Sequence, residues 1–99
     1  MEIRIQAIHF DVTERLDAFI RKKVAKLSQY HDGILDAEVI LRVVKPETAR
    51  NKQAGIRLQI KSNDCFAEKV SDTFEEAVDE AVFALEKQLI KAKEKSRSK

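Results

Sequence analysis

Apolar and polar side chains alternate from Glu2 to Ala7, with Ile3, Ile5 and Ala7 on one side and Glu2, Arg4 and Gln6 on the other. A period of two predicts a half-buried strand. The period then changes. Leu16, Phe19, Ile20, Val24 and Leu27 recur at three and four residues, which predicts a helix to about Gln29. Thr13 is its expected N-cap, and Glu14 lies near the positive end of its dipole. The run His31, Asp32, Gly33 stops it, with Gly33 able to take a positive φ.

Alternation returns over 37–45, with Ala37, Val39, Leu41 and Val43 predicted to face inward. The stretch 45–55 holds the only proline and many polar residues and reads as a loop. Residues 56–61 alternate again, with Ile56, Leu58 and Ile60 inward, and a turn at 62–64 leads to a weaker strand over 65–70. A long helix is predicted from near Asp72, with Glu75 three residues on as in a capping box. Phe74, Ala77, Val78, Ala81, Leu85, Leu89 and Ala92 form its apolar stripe, which runs to about Lys95.

The order β-α-β-β-β-α predicts an α+β fold, a four-stranded sheet with two helices packed on one face. The first β-α-β unit should make its strands parallel neighbours through a right-handed crossover. This order contains the α-β-β-β-α order of the double-stranded-RNA-binding domain. One domain is expected over 1–95. Residues 96–99 form a short basic tail with no apolar anchor.

Composition narrows the class. The chain has 99 residues, enough for one core and not two. A single cysteine, Cys65, excludes an internal disulfide framework and fits a reducing cytosol. No apolar run approaches the ~20 residues of a membrane span, and no signal-peptide pattern opens the sequence. A small cytoplasmic protein is expected.

Charge changes the picture most. Charged residues make up 36% of the chain, above the usual share, yet the net charge is only +2, so segregation matters more than the sum. From Asp64 to Glu86 there are eight acids and one base; from Lys87 to Lys99 there are six bases and one acid. Lys87, Lys91 and Lys95 are spaced by four and form a ladder on the second helix. On the first helix Arg15, Lys22 and Lys26 fall within about 40° of one another, beside the apolar face. One lysine stripe is most simply a solvated face, and bases at a helix end complement the dipole. The dipole effect fades within the last turn, however, whereas these bases extend over three turns. Two basic helix stretches on one surface point to a polyanion, and bases set wide apart on a rigid framework suit a folded RNA.

Catalytic and metal patterns are poor. His9 and His31 lack companion ligands, so no metal site is expected. Cys65 has no thiol partner and no activating base beside it. Asp79 and Glu80 are adjacent on a helix and diverge, so they make no dyad. There is no phosphate-binding glycine loop and no nucleophile elbow. No enzyme activity, cofactor or small-molecule substrate is expected. Phe83 and Ile90 point away from the apolar stripe of the second helix, as an exposed contact or an edge of the domain. Tyr30 and Phe66 are candidates to stack on bases or to close the edge of the core.

The segment VTERLDAFIRKKVAKLSQY (12–30), followed by AEVILRVVK (37–45) and FEEAVDEAVFALEKQLIKAKEK (74–95), resembles the ribosome hibernation promoting factor family in its short form, also called the ribosome-associated translation inhibitor family. The likeness covers nearly the whole chain. It implies a β-α-β-β-β-α fold with both helices on one side. It also implies binding to the small ribosomal subunit and its rRNA, in the channel where messenger and transfer RNA lie. Translation would thereby be inhibited in stationary phase or stress. The rRNA-facing bases of the family map onto Lys23, Lys26, Lys87, Lys91, Lys93 and Lys95. With Arg15 and Lys22 these make up the candidate rRNA-binding set. Many relatives carry a histidine where this chain has Ala92, so any contact made by that ring is lost. The additional domain of long-form relatives does not follow the second helix, so any pairing of idle ribosomes is expected to need a separate ribosome modulation factor.

Two other readings remain open on the residues. A general double-stranded-RNA-binding module would present lysines at the start of its second helix, where this chain has Asp72, Glu75 and Glu76. A protein-interaction adaptor would use Phe83 and Ile90, with the charges only solubilising.

Overall fold

The computed structural model describes residues 1–45, 50–61 and 63–97, with side chains given as far as Glu94. Its elements are β1 (Glu2–Ala7), α1 (Glu14–Ala25) continued by a 3-10 turn (Lys26–Gln29), β2 (Ile34–Val43), β3 (Lys52–Ile60), β4 (Cys65–Ser71) and α2 (Phe74–Arg97). The sheet order is β1-β2-β3-β4, with β1 parallel to β2 and the other pairs antiparallel. The expected α+β architecture is present.

The strand pairing explains the core. Ile5, Val39, Ile56 and Ala67 form one rung across all four strands, and Ile3, Ala37, Leu58 and Cys65 form the next. Leu16, Ile20, Val24 and Leu27 of α1 and Ala77, Val78, Ala81, Val82, Leu85 and Leu89 of α2 close over these rungs. Burying each large aliphatic side chain contributes roughly 1.5–3 kcal/mol. Ile3 and Ile5 are only half-buried, because β1 is an edge strand.

Local signals fix the helix starts. Thr13 Oγ1 accepts from the Leu16 N–H at 3.1 Å, the expected N-cap. The capping box of α2, however, lies one residue later than the sequence suggests. Thr73 Oγ1 accepts from the Glu76 N–H at 3.1 Å, and its hydroxyl meets Glu76 Oε1 at 3.2 Å. With Thr73 as the cap, Glu76 rather than Glu75 is three residues on. Just before it, the buried Ser71 hydroxyl donates to Glu80 Oε2 at 2.6 Å, tying the end of β4 to the second turn of α2.

Gly33 does not use its freedom to take a positive φ. The His31 ring folds over it: Nδ1 accepts the Gly33 N–H at 2.8 Å, and a Cβ at Gly33 would stand 2.9 Å from Cε1, so the ring would have to shift to admit one. Val43 is exposed rather than inward, since it ends β2 on an open cleft with Phe10 and Phe74 instead of under a helix. Strand β3 begins at Lys52, within the stretch read as a loop. Small residues there hide the strand signal, yet Ala54 pairs with Leu41 in the core and Gly55 is covered by the Phe66 ring. Ala92 is half-buried, where the stripe of α2 runs past the sheet. The helix itself continues to Arg97, two residues past its expected end. Of the expected tail, Ser98 and Lys99 lie outside the described residues.

Candidate nucleic-acid interface

The strand directions set the helix directions. Strands β1, β2 and β4 all run the same way, β3 the other. Each helix leaves the end of one of these co-directed strands and packs back over the sheet. Helices α1 and α2 are therefore parallel neighbours. Contacts between them agree: Lys23 Nζ lies 3.1 Å from Asp79 Oδ1, and farther along Tyr30 shares a cleft with Ile90 and Lys93. Both acidic starts point to one end of the molecule and both basic finishes to the other.

At the basic end Lys22 and Lys26 project from α1 and Lys87, Lys91 and Lys93 from α2, all exposed. Lys87 and Lys91 stand about 40° apart on the outer flank of α2, while Lys93 lies about 120° from Lys87, toward α1. Among the described residues no ion pair engages Lys22, Lys26, Lys87, Lys91 or Lys93. The backbone of Lys95 continues α2, and its side chain lies outside the described residues.

Two members of the candidate set stand apart. Lys23 is half-buried and committed to Asp79, with its ammonium 5.5 Å from the Phe19 ring centroid. Arg15 is exposed in the first turn of α1, about 16 Å along the helix from Lys26. Other bases serve the fold. Arg21 bonds Asp17 at 2.7 Å and the Ile3 carbonyl at 3.0 Å, locking α1 to the edge strand. On the uncovered sheet face Arg57 reaches Glu38 at 3.3 Å and Arg4 reaches Asp36 at 3.9 Å.

Phe83, 58% exposed, is not bare: the Lys87 ammonium sits 4.4 Å from its ring centroid, a cation–π contact on the outer face of α2. Ile90, 45% exposed and only about 20° around the helix from Phe83, borders a cleft of about 290 Å³ lined by Gln29, Tyr30, Ile90, Lys93 and Glu94. Sequence reading singled out Tyr30 and Ile90 separately and missed that they share a cleft. The signal was weak, since this sharing depends on how far α2 slides along α1.

The opposite end differs. There Ile8, His9, Phe10, Val43, Val44, Arg42 and Phe74 line a wider apolar cleft, and Phe10 stacks on Phe74 with centroids 5.1 Å apart. His9 takes φ 68°, a left-handed value that costs about 1 kcal/mol in a residue with a Cβ and turns the chain from β1 toward α1. Cys65 is buried, and burial first, then Asp64, pushes its thiol above the ordinary range; this is an inert core cysteine. No group of three or more His, Cys, Asp or Glu among the described residues is placed to hold a metal ion. No described helix is long and apolar enough to cross a membrane.

A two-helix, four-stranded α+β domain with one basic end defines the class, and comparison with known proteins gives the family. Residues 3–97 match the family model described as Sigma 54 modulation protein / S30EA ribosomal protein. The chain belongs to this family. It is 30% identical over 95 residues to the ribosome hibernation promoting factor of Escherichia coli K12, covering 96% of each chain. It is 29% identical over 98 residues to the factor of the same name from Pseudomonas putida, covering 99% of this chain and 92% of that one. Among solved structures, the Protein Y N-terminal domain of Thermus thermophilus superposes with a TM-score of 0.79 at 26% identity, covering 92% of this chain and 98% of that one. The fold is also that of a ribosomal subunit interface protein from Coxiella burnetii, with a TM-score of 0.83 at 24% identity, covering 94% and 98%.

Proposed function

We propose that this protein is a ribosome hibernation factor that binds small-subunit rRNA through the basic end of its helix layer. Seated in the channel used by messenger and transfer RNA, its rigid α/β body excludes both and inhibits translation. It acts by occlusion and requires no chemistry at the site. Its place of action is the cytoplasm, with the ribosome. The observation that carries this reading is the parallel packing of α1 and α2, which gathers unpaired lysines from both helices at one end. Membership of a family whose relatives are named for ribosome hibernation supports the choice of partner. Any pairing of idle ribosomes would be assisted by a separate ribosome modulation factor.

The mechanism of binding is electrostatic first. Each lysine that neutralises a phosphate releases a counterion, so about five such contacts make affinity fall roughly 10²–10³-fold for a fourfold rise in salt. Asp72, Glu75 and Glu76, exposed at the start of α2, would repel a phosphate, which counts against the general double-stranded-RNA-binding mode. The capping of Phe83 by Lys87 likewise weakens the adaptor reading, because half of the proposed apolar contact is a cation. The test is co-sedimentation of the purified chain with small ribosomal subunits across a salt series. Binding that is steeply lost with salt is expected; no co-sedimentation even at low salt refutes the proposal.

A further inference from the structure

We infer that the cleft between the end of α1 and the last turns of α2 receives a single unpaired nucleobase of the bound RNA, stacked on Tyr30. This rests on the reading of the protein as an RNA-binding factor and names what that surface reads. The walls are an aromatic ring, Tyr30, and an aliphatic side chain, Ile90, with the Gln29 amide and the Glu94 carboxylate as polar groups and Lys93 at the side. Its volume, about 290 Å³, suits one planar base rather than a stacked pair.

Three observations select a base as occupant. First, the cleft lies at the basic end, with Lys93 in its wall and Lys26 on the 3-10 turn that carries Gln29, so a polyanion drawn there meets it. Second, Glu94 excludes a phosphate from the interior, since two anions would share a small volume, while its oxygens can accept from the amino group of a base. Third, Ile90 is 45% exposed beside Tyr30 although the apolar stripe of α2 is buried, and an apolar wall facing a ring is what a flat π-surface needs. Single-stranded loops and bulges of RNA offer such bases, splayed out and free to stack on aromatic side chains. Lys93 would then hold the adjoining phosphate, which explains why it stands off the ladder formed by Lys87 and Lys91.

The chain provides its own probe, because Tyr30 is its only tyrosine and it has no tryptophan. Tyrosine emission should be quenched on titration with a short unstructured oligoribonucleotide, and spared by an abasic strand of the same length and by inorganic polyphosphate. Stacking contributes on the order of 1–3 kcal/mol per base, so Tyr30→Leu should weaken oligonucleotide binding by about 5- to 150-fold and Tyr30→Phe by less than about twofold. Tyr30 packs on the core, so thermal melts must show both variants folded. If Tyr30→Leu does not fold, the quenching of the unaltered chain decides alone. Equal quenching by base-bearing and abasic strands overturns the inference, as does wild-type affinity in a folded Tyr30→Leu chain. Co-sedimentation with small subunits separates the two failures. Retained binding without quenching removes the base pocket and leaves the ribosome reading standing, whereas lost binding removes both.

Discussion

Where the helices begin, charge is spent inside the protein: Asp17 holds Arg21 at 2.7 Å, Glu80 accepts from Ser71 at 2.6 Å, and Glu76 closes the cap with Thr73. Where they finish, Lys22, Lys26, Lys91 and Lys93 stand exposed with no ion pair among the described residues. The first end uses charge to stabilise a fold, and on the proposed reading the second keeps it for a partner. Mutual repulsion of unpaired lysines would be a small burden in a free protein, removed when phosphates arrive. The comparison therefore predicts a double dissociation. Changes at the finishing end should alter RNA affinity with little effect on folding, and changes at the starting end should do the reverse.

The largest effect is expected from reversing the free charges. A Lys26→Glu, Lys87→Glu, Lys91→Glu chain should lose on the order of a thousandfold in affinity for small subunits at low salt, and its salt dependence should flatten by about one phosphate contact per residue changed. Its melting temperature should move little, since each unfavourable charge near a helix end costs about 0.3–1 kcal/mol. Undiminished co-sedimentation of this chain would dissolve the distinction between the two ends.

The reverse experiment is Ser71→Ala. The hydroxyl is buried and donates to a carboxylate, so its loss should cost about 2 kcal/mol, read as a fall of roughly 10 °C in melting temperature for a domain of this size. Affinity for small subunits measured well below the transition should stay within about twofold, because no basic group has moved. Thr73→Ala is the weaker version. Removing an N-cap costs about 1 kcal/mol, or roughly 5 °C here, again without a change in RNA binding. A substantial loss of affinity in either variant would show that the acidic end takes part in recognition.

Much of the fold was legible because each element carries its own period: two over Ile3–Ala7 and Ile56–Ile60, three and four over Leu16–Leu27 and Ala77–Leu89. Legibility failed where small residues carry a strand, as at Ala54 and Gly55, whose burial is supplied by Leu41 and Phe66 from neighbouring strands. It failed again where one hydroxyl decides a boundary, as at Thr73. The candidate site was half legible. Clusters of bases show directly in sequence, and helix periodicity places them on faces. What periodicity cannot give is the relation between two helices. The sharing of a cleft by Tyr30 and Ile90, and the commitment of Lys23 to Asp79, depend on packing distance and offset along the pair.

Lys23 is for that reason the sharpest test of the comparison, although the effect is the smallest. It lies at the boundary between the two ends, and the family resemblance counts it among the rRNA-facing bases while the structure pairs it within the protein at 3.1 Å. Its side chain is 34% exposed and that of Asp79 is 50%, so the pair is largely screened and contributes no more than about 0.5 kcal/mol. Asp79→Asn removes the competing carboxylate without changing the shape of the side chain. The melting temperature should stay within a few degrees. If Lys23 is held in reserve, affinity for small subunits should rise about two- to fivefold and the salt slope should steepen by a little under one unit, the signature of one additional phosphate contact. An unchanged slope would assign Lys23 to the fold alone. The boundary between charge spent and charge kept would then lie beyond it, at Lys26.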